Sequence, residues 1–119
     1  MTTEADDLLE AEILRHALRI AAEEASIVVV QSAHSAMIAE GADACAGILD
    51  RDARRVTLSP ATNLMHAASL RCSLPAVLED QPIDAMRPGD VFVSNDCFRG
   101  GIHSNDLLVF RPVFRDDRV

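Results

Sequence analysis

Lysine is absent from the 119-residue sequence, and so are tryptophan and tyrosine. Without lysine there is no phosphate-binding loop of the GxxxxGK[ST] type, so direct nucleotide binding by that device is excluded. Aromatic residues make up only 3% of the chain, against a hydrophobic fraction of 49%. Ala, Val, Leu and Ile must therefore do the packing, and such side chains bury less area each than aromatic rings do. The chain is expected to lean on further protein. Basic residues form no run, and the formal net charge is −8; both disfavour a nucleic-acid backbone as partner. No stretch approaches the roughly 18 continuous apolar residues of a membrane span. The opening Met1-Thr2-Thr3-Glu4-Ala5-Asp6-Asp7 lacks the basic segment of a signal peptide, and the expected compartment is the cytoplasm. Cys45, Cys72 and Cys97 include no CxxC pair, which argues against a zinc-finger site and for simple small side chains.

What is present reads as one α+β segment, with no internal repeat and no defensible domain boundary. Leu9, Ile13 and Ile20, with Leu14, Leu18, Ala21 and Ala25, recur at spacings of three, four and seven. That pattern predicts a long helix over about 4–34. Glu4, Asp6 and Asp7 suit its first turn, where the helix dipole favours negative charge. Ile27-Val28-Val29-Val30 is β-branched but follows without a turn residue, so continued helix is expected there. Gly41 breaks the pattern. Two short strands within about 45–58, joined by Asp50-Arg51-Asp52-Ala53-Arg54, predict a hairpin. Ser59-Pro60-Ala61-Thr62-Asn63 reads as a loop, and about 64–79 as a helical stretch that starts or restarts near Pro75. Arg87-Pro88-Gly89-Asp90 is a turn signal. Strands are expected over about 91–94 and 107–114, and Arg115-Asp116-Asp117-Arg118 looks like another hairpin turn. The fold expected is a long N-terminal helix packed on short antiparallel strands, as the incomplete N-terminal part of a larger domain.

The chemistry-bearing stretch is Asn95-Asp96-Cys97-Phe98-Arg99-Gly100-Gly101-Ile102-His103-Ser104-Asn105-Asp106, a polar loop between two apolar strands. The paired glycines allow positive φ and close backbone approach. His103 and Asp106 offer a nitrogen and an oxygen that can converge on one divalent cation, and Asp96 can be a ligand or can orient one. Two readings stay open on the residues alone. In one the loop is a metal site. In the other Asp96 and Asp106 accept hydrogen bonds from loop amides and His103 is merely exposed. His16, His34 and His66 are expected to be surface or satisfied core residues.

Arg87-Pro88-Gly89-Asp90-Val91 followed by Asn95-Asp96 resembles the "RPGDV-x-x-x-NDP" stretch of the hydantoinase B / oxoprolinase family. That family contains the B-type subunits of N-methylhydantoinase, 5-oxoprolinase and acetone/acetophenone carboxylase. Gly100 to Asp106 resembles its "GGTHLPD", and Val113-Phe114 its "PVF". Ser35 to Asp50 can be laid without a gap on "S-x-x-I-x-E-R-x-D-F-S-C-A-x-x-D", matching Ser35, Ile38, Glu40, Asp43 and Asp50. This sequence departs at Cys97 for the Pro of "NDP", at Ile102 for Thr, at Ser104-Asn105 for Leu-Pro, and at Gly41-Ala42-Asp43-Ala44, which lacks the Arg and the aromatic beside the early Asp.

The resemblance implies a divalent metal (zinc, iron or manganese) held by His103, Asp106 and Asp43, with Asn95, Asp96, Gly100 and Gly101 supporting the loop. No residue is assigned a direct catalytic role. A later His-His-x-Asp motif of the family has no counterpart here, so the chain is expected to be an N-terminal fragment of a longer subunit. The implied activity is ATP-dependent opening of cyclic amides or a related ketone carboxylation, with ATP used by an A-type partner subunit and not bound here. The implied partners are that subunit, the remaining B-type chain and a small cyclic amide or ketone. The alternative is a non-catalytic assembly segment, or an inactive fragment, that needs a partner chain to complete its sheet.

Overall fold

The computed structural model describes residues 3–60 and 64–119. The element order is α1 (Glu4–Ser32), α2 (Ala36–Ala39), β1 (Gly47–Leu49), β2 (Arg55–Leu58), α3 (Leu64–Asp80), β3 (Phe92–Ser94) and β4 (Leu108–Phe110). Single 3-10 turns cover Ile83–Ala85 and Cys97–Arg99. The expected α+β character is present, as a long first helix and two antiparallel strand pairs. The chain divides into two compact units, residues 1–49 with 55–63 and residues 50–54 with 64–119.

In the first unit α1 begins at a capping box. The Thr3 hydroxyl accepts from the Asp6 backbone N–H at 3.2 Å, and the Thr3 backbone N–H donates to Asp6 Oδ2 at 2.9 Å. Each bond satisfies an amide that the helix start leaves without a partner. The β-branched run Ile27–Val30 stays helical, as expected. The helix stops at Ser32, two residues earlier than expected: Ala33 is extended, with ψ 139°. The Ser32 hydroxyl donates back to the Val28 carbonyl at 2.7 Å, the local bond by which serine competes with helix continuation. α1 packs on α2, β1 and β2. β1 and β2 are antiparallel, with Ile48 opposite Thr57 and an irregularity between Ile48 and Leu49.

The second unit contains the loop that joins those strands. The Asp50 carboxylate accepts from the amides of Asp52 (2.9 Å) and Arg54 (2.8 Å), the Asx arrangement that makes Asp a turn residue. The helical stretch from residue 64 is one continuous helix through Asp80, with Pro75 inside it. It does not restart at Pro75. Proline at that position removes one helix hydrogen bond, and packing of α3 on β3, β4 and the 97–99 turn supports the continuous form. Residues 61–63 of the loop expected over 59–63 lie outside the described residues.

Arg87 to Asp90 forms the expected turn. The Asp90 N–H donates to the Arg87 carbonyl at 3.1 Å, the Arg87 N–H donates to Asp90 Oδ2 at 2.8 Å, and Gly89 takes φ +96°. Pro88 and Gly89 therefore occupy the two central positions their backbones favour. β3 and β4 pair antiparallel, with Phe92 opposite Phe110, Val93 opposite Val109 and Ser94 opposite Leu108. β4 covers only part of the 107–114 span expected: its partner β3 is three residues long, and Pro112 has no N–H for a ladder. The hairpin turn expected at 115–118 is present, with reciprocal Arg115–Arg118 backbone bonds of 2.8 and 3.0 Å and positive φ at Asp116 and Asp117. Those signs belong to a type I′ turn.

Candidate metal site

The loop between β3 and β4 is organised by its two aspartates. Asp96 Oδ1 accepts from the Phe98 N–H at 2.9 Å, and the Asp96 carbonyl accepts from Arg99 (3.1 Å) and Gly101 (3.4 Å). The Cys97–Arg99 turn ends at Gly100, whose φ of +118° is open to glycine and strained for any other residue. Beyond it Asp106 folds back. Its Oδ2 accepts from the amides of Ile102 (2.8 Å) and His103 (3.0 Å), and its Oδ1 lies 3.3 Å from His103 Nδ1.

Two opposing effects act on the Asp106 carboxyl. Burial pushes its pKa up, while the amides of His103 and Ile102 and then the His103 ring pull it down; the net direction is below the ordinary aspartate value. Asp106 is therefore ionised at neutral pH. An ionised carboxylate can only accept, so a hydrogen bond at this contact places a proton on Nδ1, and in the neutral form of such a ring Nε2 carries the lone pair. The His103 side chain is 52% exposed and that of Asp106 17%. The pair thus holds a half-exposed imidazole against a carboxylate that orients it.

The sequence did not single out the residues that dock this loop on α3. The Ser69 hydroxyl donates to the Gly100 carbonyl at 2.5 Å, and the Ser73 hydroxyl donates to the Ser69 carbonyl at 2.8 Å. A Cβ placed on Gly100 would lie 2.5 Å from both Cα and N of Ser73, so glycine faces serine with no room for a methyl group. Arg99 donates to the Ala76 carbonyl (2.7 Å) and to Glu79 (3.0 Å), and pairs with Asp80. α3 has no basic residue in its own last turn, and Arg99 places a cation at that end, where the helix dipole favours one. Its hydrogen bonds to Asp80 and then Glu79 hold its pKa above the ordinary arginine value. The serines carried a weak signal in their i, i+4 spacing, and Arg99 carried none beyond adjacency to Gly100.

The other expected site residues divide by unit. Asp43 belongs to the first unit, where its backbone N–H donates to the Met37 carbonyl at 3.1 Å; His103 and Asp106 belong to the second. Asn95 is exposed in the loop, and Gly101 is half-buried. Among the described residues no three His, Cys, Asp or Glu side chains gather as a metal-holding group. Both oxygens of the Asp106 carboxylate are engaged within the 102–106 turn, so the imidazole of His103 is the donor the turn could offer a borderline divalent cation. No helix among the described residues is long and apolar enough to cross a membrane.

The family model for hydantoinase B/oxoprolinase matches residues 7–119. No curated protein and no solved structure shows significant similarity to the chain. Because the match spans nearly all of the sequence, the chain belongs to the hydantoinase B/oxoprolinase family, and its role is of the hydantoinase or oxoprolinase type at the family level.

Proposed function

We propose that the chain supplies the His103–Asp106 part of a divalent metal site in an ATP-dependent enzyme that opens cyclic amides, or in a related ketone carboxylase. The observation that carries this reading is the oriented imidazole: Asp106 holds His103 through Nδ1 and leaves Nε2 free to donate. In this reading His103 binds zinc, iron or manganese through Nε2, and Asp106 fixes ring and loop together. Asp43 is a further ligand proposed by family resemblance alone. The chemistry supplied by a cation held there is polarisation of an amide or ketone carbonyl, or activation of water. The backbone amides of Ile102 and His103 are already satisfied by Asp106, so the loop needs no reordering to present its nitrogen. ATP is handled by an A-type partner subunit, and further B-type polypeptide completes the ligand set.

Calorimetric titration of the 119-residue chain with zinc, manganese or iron(II) tests this. One equivalent bound by the wild type and lost in His103→Ala is the expected result. An absence of binding at millimolar metal would remove metal chemistry from this chain on its own.

A second reading is an assembly segment without chemistry. Its support is apolar surface: Leu8, Leu9, Ile13 and Leu14 of α1 are each at least 58% exposed, as are Val93, Leu107 and Val113 around the β3–β4 pair, with Val109 just below that level. Patches of this kind mark protein contacts. In this reading another chain of the enzyme covers them and completes the sheet. Retention of partner binding by His103→Ala, with no metal bound by the wild type, favours it over the first.

A further inference from the structure

We propose that Ser69 and Arg99 are positioning residues for the His103–Asp106 pair, acting from α3 on a loop in which neither is a ligand. This deepens the metal-site reading and rests on it for its functional meaning. The argument begins with the loop's length. Between β3 and β4 lie residues 95–107, too many to be fixed by a two-stranded sheet alone. Asp106 closes only the last turn, residues 102–106, onto itself. That turn is fixed on its far side by β4, which begins at Leu108, and on its near side by the Arg99–Gly100 segment immediately before it.

This segment has two arms. One is buried: Ser69 is 4% exposed and Ser73 1%, and the Ser69 hydroxyl holds the Gly100 carbonyl while the bare Gly100 Cα lies against Ser73. The other is a charged clamp, in which the planar guanidinium of Arg99 engages one carbonyl and two carboxylates at the end of α3. A carbonyl gripped on one side of Gly100 and a guanidinium gripped on the other fix both the place and the direction in which the chain leaves α3. His103 follows three residues later. Loss of either arm frees that exit while leaving α3 and the Asp106 turn chemically intact.

Two readouts on the full chain separate positioning from mere stability. Amide hydrogen exchange at Ile102 and His103 reports loop order without metal, and cobalt(II) titration, read by its visible absorption, reports ligand geometry. Ser69→Ala and Arg99→Met are expected to speed exchange at Ile102 and His103 by about tenfold, with the amides of Ala67 to Leu70 unchanged. Cobalt affinity should fall by about 10- to 100-fold, the usual consequence of losing a group that orients a ligand. Ser69→Thr, which keeps the hydroxyl, should restore both. Unchanged exchange at Ile102 and His103 in both variants overturns the proposal. Equal acceleration along α3 overturns it too, since the residues would then be structural only. Faster exchange of the loop amides in the variants, with no cobalt bound by the wild type, supports the tether and overturns metal binding by this chain on its own.

Discussion

Of the 29 residues of α1, the buried ones are Ala22 and Ser26; α3, with 17, buries Ala67, Ser69 and Ser73 among its described side chains. The longer helix keeps its large apolar residues outside. Leu9, Ile13, Ile20 and Ile27 are between 46% and 62% exposed. Its N-terminal half adds local devices to the helix's packing: the Thr3–Asp6 capping box and the Glu12–Arg15 ion pair at 2.7 Å. The shorter helix does the reverse. It carries a proline, yet it buries small hydroxyl side chains against a glycine and receives its terminal cation from a loop. Small size, more than hydrophobicity, decides what α3 can hold, because serine and glycine let two backbones approach where leucine would separate them. α1 packs on α2, β1 and β2 yet leaves a large apolar face exposed, whereas α3 closes a small-residue contact with the 97–100 turn.

The largest test of this difference is Gly100→Ala. A Cβ 2.5 Å from the Ser73 backbone, at a φ of +118°, should destabilise the second unit. The combined strain and overpacking correspond to about 3–5 kcal/mol, measured by urea unfolding followed by helix circular dichroism. A loss below about 1 kcal/mol would mean that loop and helix are not in close contact. Gly89→Ala sharpens the point. Gly89 also has positive φ but has nothing within 4 Å of a built Cβ, so only the backbone strain of about 1–2 kcal/mol should appear. The difference between the two substitutions isolates the packing against Ser73.

Thr3→Ala probes the local order of α1 and should cost about 1 kcal/mol, seen as faster amide exchange confined to its first turns. The same cap predicts a pH effect. The Thr3 hydroxyl first, and then its backbone N–H, hold the Asp6 carboxyl below its ordinary value of 3.8. A lowered folded-state pKa gives stability that is present above that value and is lost as the pH falls through the folded one. The first turn of α1 should therefore fray below about pH 4 by nuclear magnetic resonance, and Asp6→Asn should abolish the transition. The smallest effect belongs to Ile13→Gln. With Ile13 62% exposed, its unfolding free energy should shift by less than about 0.5 kcal/mol. A loss above about 1.5 kcal/mol would show that this face is covered in solution and would break the contrast with α3.

Local signals in the sequence were strong where one residue type has one backbone preference. Pro88-Gly89 and Asp116-Asp117 mark their turns by φ alone, and the 3.6-residue period marks α1. Pro75 misled for the opposite reason: its local penalty is real, and tertiary packing on β3, β4 and the 97–99 turn offsets it. β4 was overestimated because apolar content does not reveal the length of its partner strand. At the site, the loop and its amide-accepting aspartates were legible in the sequence, and the bonds of Asp106 are those of the second reading, with the His103 ring beside it. It accepts two loop amides and also faces the His103 ring. Ser69, Ser73 and Arg99 were not legible, because a contact across 31 residues of sequence leaves no periodic trace.

The two arms on Gly100 also differ in how they respond to ionic strength. Arg99 is 37% exposed, and its partners Glu79 and Asp80 are 74% and 60% exposed, so ions reach this clamp from solution. The screening length shrinks from about 8 Å at physiological salt to about 3 Å at 1 M. The Ser69 hydroxyl bond carries no net charge and is indifferent to that change. Raising salt therefore weakens the carboxylate contacts of one arm, sparing its bond to the Ala76 carbonyl, and leaves the other arm unchanged, which makes the order of the His103 loop adjustable without any substitution. A cation affinity measured in dilute buffer belongs to the fully held loop, and the same titration in concentrated salt belongs to a loop held mainly by its uncharged contacts.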